Sequence, residues 1–280
     1  MSMDSFKKWL SQGLIYLALL VGGIFTVTPF LYMVSTSFKG QVYVFEFPPR
    51  FIPEHPSVDN FIRAWTSNDF GLYFLNSLLV AIATTLIVVL LTSMMAYAFA
   101  RFEFVGKNVL FYAMLGMMMV PALMLIIPQF ILASQLHLLN KLSGLVIVYA
   151  AGGMAFNTFL LRGFFEGLPK DLEEAVLLDG GGAWTIYTQV ILPLSTPALA
   201  TVSIFAFLGA WDEYIWALTV INEARKRTLP IAIANFQGAH ASDWGLIFAA
   251  SLIAVAPVLI LYVSLQRFFV QGLTSGAVKG

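Results

Sequence analysis

The side chains best suited to chemistry in this sequence are acidic, and they are unevenly distributed. Five of the fifteen acidic residues lie between Glu166 and Asp179, although charged residues make up only 11% of the chain. A smaller acidic pair, Asp212–Glu213, lies late in a long apolar segment. No nucleophile–base pair or metal-binding motif stands out in the sequence. The larger cluster is therefore expected to bind a partner, and the chain is not expected to be an enzyme.

Residue types and spacing exclude several other kinds of site. The three histidines, His55, His137 and His240, lie in different segments without ligand spacing, so no metal site is expected. The absence of cysteine excludes disulfides and thiolate sites. The sequence has no phosphate-binding P-loop motif, so this chain is not expected to bind ATP or another cofactor. The formal net charge is zero, which argues against nucleic acid as a partner.

Residues 166–193 are predicted to form two short helices joined by a glycine turn. Pro169 suits the first helical position, acidic residues favour the positive end of the helix dipole, and Gly180 can close the helix. Two further glycines permit a sharp reversal, and a second short helix follows before Pro193. Together the helices would form a finger with an acidic shoulder and an aromatic tip. That shape suits docking into a groove of another protein.

The spacing within this finger predicts which residues share a face. In the first helix, Glu174 lies on one face with Leu177 and Leu178, at i+3 and i+4. In the second helix, Trp184 and Tyr187 are predicted to share a face. The apolar members of both faces would provide anchorage on a partner.

The finger is expected to project from a membrane body, because 59% of the 280 residues are hydrophobic. A span needs about 20 apolar residues. Six segments qualify, namely residues 10–34, 73–100, 109–133, 142–161, 194–217 and 244–266. The predicted fold class is therefore an all-α integral membrane protein with six transmembrane helices in a single domain. Pro121 and Pro128 are each expected to bend the third span.

Charge does not orient these spans. With the N-terminus inside, the inner side would hold eight lysines and arginines and the outer side seven. Residues 39–69, between the first two spans, are too polar to cross the membrane. Asp59 to Trp65 is predicted to form one or two amphipathic helical turns at the membrane surface. Two roles remain open for this segment: it caps the bundle, or it contacts an external partner.

Four residues in the fourth and fifth spans are candidates for a polar solute path, namely Asn157, Trp211, Asp212 and Glu213. Ionisable residues at membrane depth face a bundle interior or water, and aromatic rings beside carboxylates suit sugar hydroxyls. The alternative is that Asp212 and Glu213 form an interfacial pair among amphipathic aromatic anchors. The distance of Asp212 from the start of its span, about 27 Å at 1.5 Å per residue, favours this alternative.

The finger resembles the cytoplasmic coupling loop of permease subunits in binding-protein-dependent ABC importers. Those loops follow the pattern E-A-A, three residues, G, nine residues, I-x-L-P, and the spacing is met throughout. The matching residues are Glu174, Ala175, Gly180, Val190, Leu192 and Pro193. Val176 departs from the second alanine of the pattern, and Gly181–Gly182 replace the common Ala-Ser.

Two other segments carry the same resemblance. The sequence Ala-Tyr-Ala-Phe-Ala-Arg-Phe, which ends at Phe102, is similar to sugar-importer permeases. The C-terminal sequence G-L-T-S-G-A-V-K-G is similar to the tail of the smaller permease in carbohydrate importers of the maltose type. The family implies that the cytoplasmic tail, residues 267–280, reaches the ATPase through Thr274, Ser275 and Lys279.

The resemblance implies one permease subunit of a type I ABC importer for a carbohydrate, working by alternating access in a bacterial-type inner membrane. It implies cytoplasmic N- and C-termini, and ATP and Mg bound only by the partner ATPase. The implied partners are a second permease, an ATPase dimer and an extracytoplasmic solute-binding protein. The implied coupling residues are Glu173, Glu174, Ala175, Leu177, Leu178, Asp179, Gly180, Trp184, Tyr187 and Pro193. An ion-coupled secondary transporter is the alternative, although spans two and three lack charge. The solute is not specified by the sequence.

Overall fold

The computed structural model describes residues 3–40, 50–67, 69–236 and 243–277. Within these ranges the chain is helical and contains no strand, so the all-α prediction is confirmed. The helices are α1 (Met3–Ser37), α2 (Asp59–Thr66), α3 (Phe70–Arg101), α4 (Lys107–Met117), α5 (Ile126–Gln135), α6 (Leu142–Glu166), α7 (Asp171–Leu178), α8 (Ala183–Leu194), α9 (Thr196–Trp211), α10 (Ile215–Val220), α11 (Leu229–Ala234) and α12 (Trp244–Ala277). Helix α8 contains a π-helical turn at Tyr187–Ile191.

The helices include enough long apolar segments for up to six membrane spans. By length and composition, four helices qualify alone, at Gln12–Ser37, Phe70–Arg101, Leu142–Glu166 and Trp244–Phe268. The other two candidates are bent pairs, α4 with the segment Ala122–Gln135, and α8 with α9. The expected third and fifth spans are therefore not straight helices.

The third candidate span breaks at Pro121. Helix α4 ends at Met117, and the chain resumes as a 3₁₀ turn at Ala122–Leu125 before α5, with a bend of 95°. Pro121 has no backbone N–H and disfavours a helical conformation in the residue before it. Pro128 lies in the first turn of α5, where no intrahelical N–H donor is needed. Only one of the two prolines therefore lies at a break.

The fifth candidate span bends by 77° between α8 and α9. Pro197 has no N–H to donate to the carbonyl of Pro193, and the hydroxyl of Thr196 donates to that carbonyl instead, at 2.8 Å. At its other end α9 stops at Trp211, six residues before the predicted end of the span at residue 217. The chain then turns into the separate short helix α10.

The chain divides into two compact units, of which the first comprises Met1–Phe70 and Ile233–Ala254. Its segment around α2 confirms the predicted helical turns. The amide of Asn60 donates to the carbonyls of Ser37 and Lys39, at 2.9 and 2.7 Å. A Cβ at Gly245 would lie 2.7 Å from the Asn60 amide nitrogen, so this close approach requires glycine. Arg63 and Asp243 form an ion pair at 2.8 Å.

The second unit comprises Gly71–Ala232 and Val255–Gly280. One of its apolar clusters contains residues from α3, α6, α8 and α9. Val88, Tyr97, Leu161, Phe165, Ile186, Tyr187, Ile191 and Val202 are buried in it. Leu168, which precedes α7, and Val176, which lies within α7, pack against the same cluster. The finger is thus attached to the helical body by one of its sides.

Candidate docking site

The finger, residues 166–193, consists of α7 and α8 joined by a tight turn. Helix α7 begins at Asp171, two residues after Pro169, and ends at Leu178. Gly180 follows with φ +83°, a left-handed conformation that L side chains rarely adopt. Nothing lies within 4 Å of the position where a Cβ would be, so the requirement for glycine comes from the backbone conformation and not from crowding.

Gly181 is required for a different reason, which is close packing. A Cβ at this position would lie 2.5 Å from Cγ1 of Val176 and 3.0 Å from the Val176 carbonyl oxygen. Val176 and Gly181 are two of the positions at which this loop departs from the motif. The two departures occupy the same space, because the larger residue at position 176 fills the volume that a side chain at 181 would need.

Three residues of α3, which we call the anchor stripe, bond to the finger. They are Ser93, Tyr97 and Arg101, and their four-residue spacing places them along one helix face. The Ser93 and Tyr187 hydroxyls are 2.8 Å apart, and the Tyr97 hydroxyl donates to the Ala183 carbonyl at 3.1 Å.

Arg101 completes the anchor stripe with two bonds of its own. Its Nε donates to Oε1 of Glu173 at 2.5 Å, and its Nη2 donates to the Leu168 carbonyl at 3.2 Å. The side chains of Arg101 and Glu173 are only 7% and 13% exposed. This ion pair is therefore largely removed from solvent.

Two residues predicted to contact a partner instead face the body of the protein. Glu173 is held by Arg101, and Tyr187 is buried against the Tyr97 ring, with the ring centroids 5.3 Å apart. The prediction that Trp184 and Tyr187 present one outward face is thus wrong for Tyr187. The reason is that the Ser93 hydroxyl and the Tyr97 ring offer it a hydrogen bond and an aromatic contact inside the bundle.

The opposite side of the finger is exposed and combines apolar and acidic groups. Leu178 is 89% exposed and Trp184 is 65% exposed, and Leu177 is also exposed. Glu174 shares the α7 face of Leu177 and Leu178, as predicted from their spacing, and is exposed with Asp179. Ala175, Gly180 and Pro193 are exposed too. Large apolar side chains at this exposure beside carboxylates are typical of a protein-binding surface.

The second acidic pair does not form an open polar path. Glu213 accepts hydrogen bonds from the backbone N–H groups of Trp216 and Ala217, at 2.7 and 3.0 Å, and so caps α10. It also accepts a short hydrogen bond from the Tyr149 hydroxyl. Asp212, in contrast, is exposed. Sequence reasoning missed the cap, although an acidic residue three positions before Trp216 was a usable signal.

The other two residues proposed for a solute path are buried. Asn157 donates to the Gly153 carbonyl one helical turn earlier, at 2.8 Å, while its Oδ1 is buried without a hydrogen-bond partner. Trp211 is buried with its ring stacked on Phe207, the centroids 5.5 Å apart. The structure therefore brings none of the four candidates into a common open site.

Two further predictions concern the tail and metals. Thr274 and Ser275 fall within helix α12, whereas Lys279 lies outside the described residues. In the ranges that the structure describes, no three histidine or acidic side chains are grouped so as to hold a metal ion.

The fold and the finger define a class of protein, an all-helical multi-pass membrane protein with a helix-turn-helix loop that is exposed on one side. Residues 88–275 match the family described as binding-protein-dependent transport system inner membrane component. The match covers more than half of the chain and includes the finger. The chain belongs to this family and is a transport permease subunit of the inner membrane, which favours the predicted importer over an ion-coupled transporter.

Two transport-system permeases are similar to this chain over almost its whole length. The chain is 34% identical to the diacetylchitobiose uptake system permease protein NgcG of Streptomyces coelicolor, over 93% of this chain and 87% of that protein. It is 33% identical to the trehalose/maltose transport system permease protein MalG of Thermococcus litoralis, over 98% and 99% respectively.

A solved structure has the same fold. The crystal structure of a bacterial ABC transporter involved in the import of the acidic polysaccharide alginate contains a chain that superposes with a TM-score of 0.82. The alignment covers 96% of this chain and 99% of that chain at 22% identity. This likeness confirms the predicted fold class.

Proposed function

We propose that this chain is a permease subunit of an ATP-driven carbohydrate importer and that the finger is its docking site for a cytoplasmic ATPase. The observation that carries the docking role is the contrast between the two sides of the finger. One side is buried against α3, while the other exposes Leu177, Leu178 and Trp184 beside Glu174. In water such a surface is costly to leave uncovered, because burying apolar area contributes about 25 cal/mol per Å².

The exposed groups indicate the chemistry of the partner. Leu178 and Trp184 would fill apolar depressions in a groove, and Glu174 would pair with a basic side chain at its rim. The acidic residues of α7 give this surface a negative character that steers a positively charged groove towards it. ATP and Mg would be bound by the ATPase and not by this chain.

The proposed cycle is alternating access. Closure of an ATPase dimer around ATP would move the groove that holds the finger, and the attached spans would rotate to open the passage outward. The assembly would need a second, similar permease to complete the passage and an extracytoplasmic binding protein to deliver the solute. In this arrangement the finger, both termini and the tail with Thr274, Ser275 and Lys279 lie on the cytoplasmic side.

A carbohydrate is the proposed class of solute. Its support is the naming of the relatives NgcG and MalG for diacetylchitobiose and for trehalose and maltose. Asn157, Trp211 and Glu213 are buried or bonded within the chain, and Asp212 lies at the end of α9. We therefore do not include these residues in a sugar-binding site and assign solute recognition to the binding protein and the passage formed with the second permease.

The first test is purification of the tagged chain from its native membrane in mild detergent. Mass spectrometry of the co-purifying proteins and an ATP hydrolysis assay should detect a P-loop ATPase and a second permease. Glu174→Lys should lose the ATPase, because it reverses the charge of the exposed docking residue, while keeping the second permease. A matched control is Glu223→Lys, an exposed carboxylate outside the finger, which should keep both partners.

The outcomes separate the parts of the proposal. Recovery of the chain without any ATPase would contradict the docking role. Recovery of the ATPase with the Glu174→Lys variant would show that the finger is not the docking site. The solute class is then tested in vesicles that contain the intact complex, by measuring uptake of radiolabelled diacetylchitobiose, maltose and trehalose. If the vesicles take up no sugar from a broad panel, the carbohydrate assignment is contradicted.

A further inference from the structure

We propose that the anchor stripe of α3 makes the finger and α3 a single rigid body, so that α3 moves with the finger and carries its movement into the membrane. This inference rests on the proposed function, because it concerns what happens after an ATPase moves the finger. The stripe is separate from the docking surface, since Ser93, Tyr97 and Arg101 contact the buried side of the finger.

The stripe bonds to both helices of the finger. Arg101 holds α7 through Glu173 and the segment before it through the Leu168 carbonyl. Tyr97 and Ser93 hold α8 through the Ala183 carbonyl and the Tyr187 hydroxyl. Because one continuous helix provides all four bonds, α7 and α8 cannot rotate independently without breaking at least one of them.

Without these bonds, α7 would be weakly attached. None of its residues is buried. A glycine lies in each of its two connections: Gly167 directly follows α6, and Gly180, which has a positive φ, lies two residues after α7 ends. Glycines offer little resistance to rotation of the backbone. Val176 packs against the body, and its carbonyl accepts a hydrogen bond from the Gly181 N–H at 2.8 Å. The Arg101–Glu173 ion pair adds a direct side-chain bond from α7 to α3.

Arginine suits this position better than another cation would. Its planar guanidinium presents donors in a fixed fork, and two of them reach acceptors in separate parts of the chain, the Glu173 carboxylate and the Leu168 carbonyl. A lysine ammonium is a point charge on a flexible stem and would not fix both acceptors in one geometry. The stripe is thus a set of positioning residues that act through the finger and do not touch the ATPase.

The test measures a distance within the intact complex. The chain has no native cysteine, so nitroxide labels can be placed at Leu79→Cys on α3 and Asp171→Cys on α7. Both sites are exposed. The helix rise from Leu79 to Arg101 is about 33 Å, which suits pulsed electron–electron double resonance. The complex is measured without nucleotide and after trapping with MgATP and vanadate.

The expected result is one narrow distance distribution that is the same in both states. In Glu173→Gln combined with Tyr97→Phe, the distribution should broaden or shift on trapping, while the ATPase still co-purifies. Tyr97→Phe alone keeps the ring and loses only the hydroxyl, so it should give a smaller change in a protein that still folds. The matched controls are Glu103→Gln and Tyr112→Phe, exposed residues outside the stripe, which should leave the distribution unchanged.

A functional measurement accompanies the distance. In vesicles, uptake of radiolabelled diacetylchitobiose or maltose per ATP hydrolysed should fall about tenfold in the double variant, within the range typical of coupling energies. An unchanged distribution together with unchanged uptake per ATP in the double variant would overturn the proposal. Absence of an ATPase from the wild-type preparation would instead refute the proposed function, so the two failures are distinguishable.

Discussion

Two pairs of consecutive acidic residues invite comparison, Glu173–Glu174 in the finger and Asp212–Glu213 after α9. In each pair one carboxylate bonds within the chain and the other is exposed. In the finger, Glu173 is inward and Glu174 outward. After α9, Glu213 is inward and Asp212 outward. The two inward carboxylates have different partners among the described residues. Glu173 pairs with a largely buried arginine, whereas Glu213 accepts from neutral donors, a tyrosine hydroxyl and two backbone N–H groups.

This difference bears on the role of each pair. Removing Glu173 would leave a cation buried without a counterion, which is among the costliest single changes in a protein. Removing Glu213 would leave neutral donors without acceptors, which costs less. The finger thus depends on a charged contact to α3, while the turn after α9 is a helix cap of moderate strength.

The largest effect on stability is expected for Glu173→Ala. It should lower the free energy of unfolding by about 3 kcal/mol, the lower end for a buried ion pair, because Arg101 is left largely buried and without its counterion. Denaturation by SDS followed by circular dichroism provides the measurement. The double variant Arg101→Met, Glu173→Leu removes both charges and should cost less than the single variant. A double variant that is less stable than Glu173→Ala would contradict the assignment of the cost to an unpaired charge.

A smaller effect is expected for Glu213→Ala. This change removes the cap of α10 and the acceptor of the Tyr149 hydroxyl, and it should cost about 1–3 kcal/mol in the same denaturation assay. Tyr149→Phe, which leaves the cap in place, is the control and should cost less. If Glu213→Ala cost as much as Glu173→Ala, the proposed distinction between charged and neutral partners would not hold.

A further prediction concerns the turn of the finger, where Gly181 packs against Val176. Gly181→Ala should cost about 1 kcal/mol, because its new methyl group would overlap Val176. In a Val176→Ala background the same substitution should cost measurably less, since the overlapping side chain has been removed. Equal costs in both backgrounds would show that the two departures from the motif are independent.

Much of the fold followed from the sequence, because apolar length and helical periodicity are local properties. The all-helical membrane class, the finger with its glycine turn, and the exposure of Leu177 and Leu178 with Glu174 were predicted correctly. The break at Pro121 was also predicted, since proline lacks an N–H wherever it occurs. Pro128 does not bend the helix, because it lies in the first turn of α5, where its missing N–H needs no acceptor. The sequence did not predict that a helix begins there.

What the sequence did not predict depends on contacts between distant segments. Periodicity placed Trp184 and Tyr187 on one face of α8 but did not show that Tyr187 would be buried while Trp184 stays exposed. The decision is made by Ser93 and Tyr97, about 90 positions away in the chain. The four-residue spacing of Ser93, Tyr97 and Arg101 in α3 was the available signal, since polar side chains on one face of an apolar helix need partners.

The smallest stability effects are expected for the two outward carboxylates, and here the pairs should differ in function. Glu174→Gln and Asp212→Asn should each change the free energy of unfolding by less than about 0.5 kcal/mol, because exposed side chains make few contacts. The Glu174 variant should nevertheless recover less ATPase in the purification described above, whereas the Asp212 variant should recover the wild-type amount. Loss of ATPase from both variants would point to a general effect of surface charge, and loss from neither would limit docking to the apolar side chains of Leu178 and Trp184.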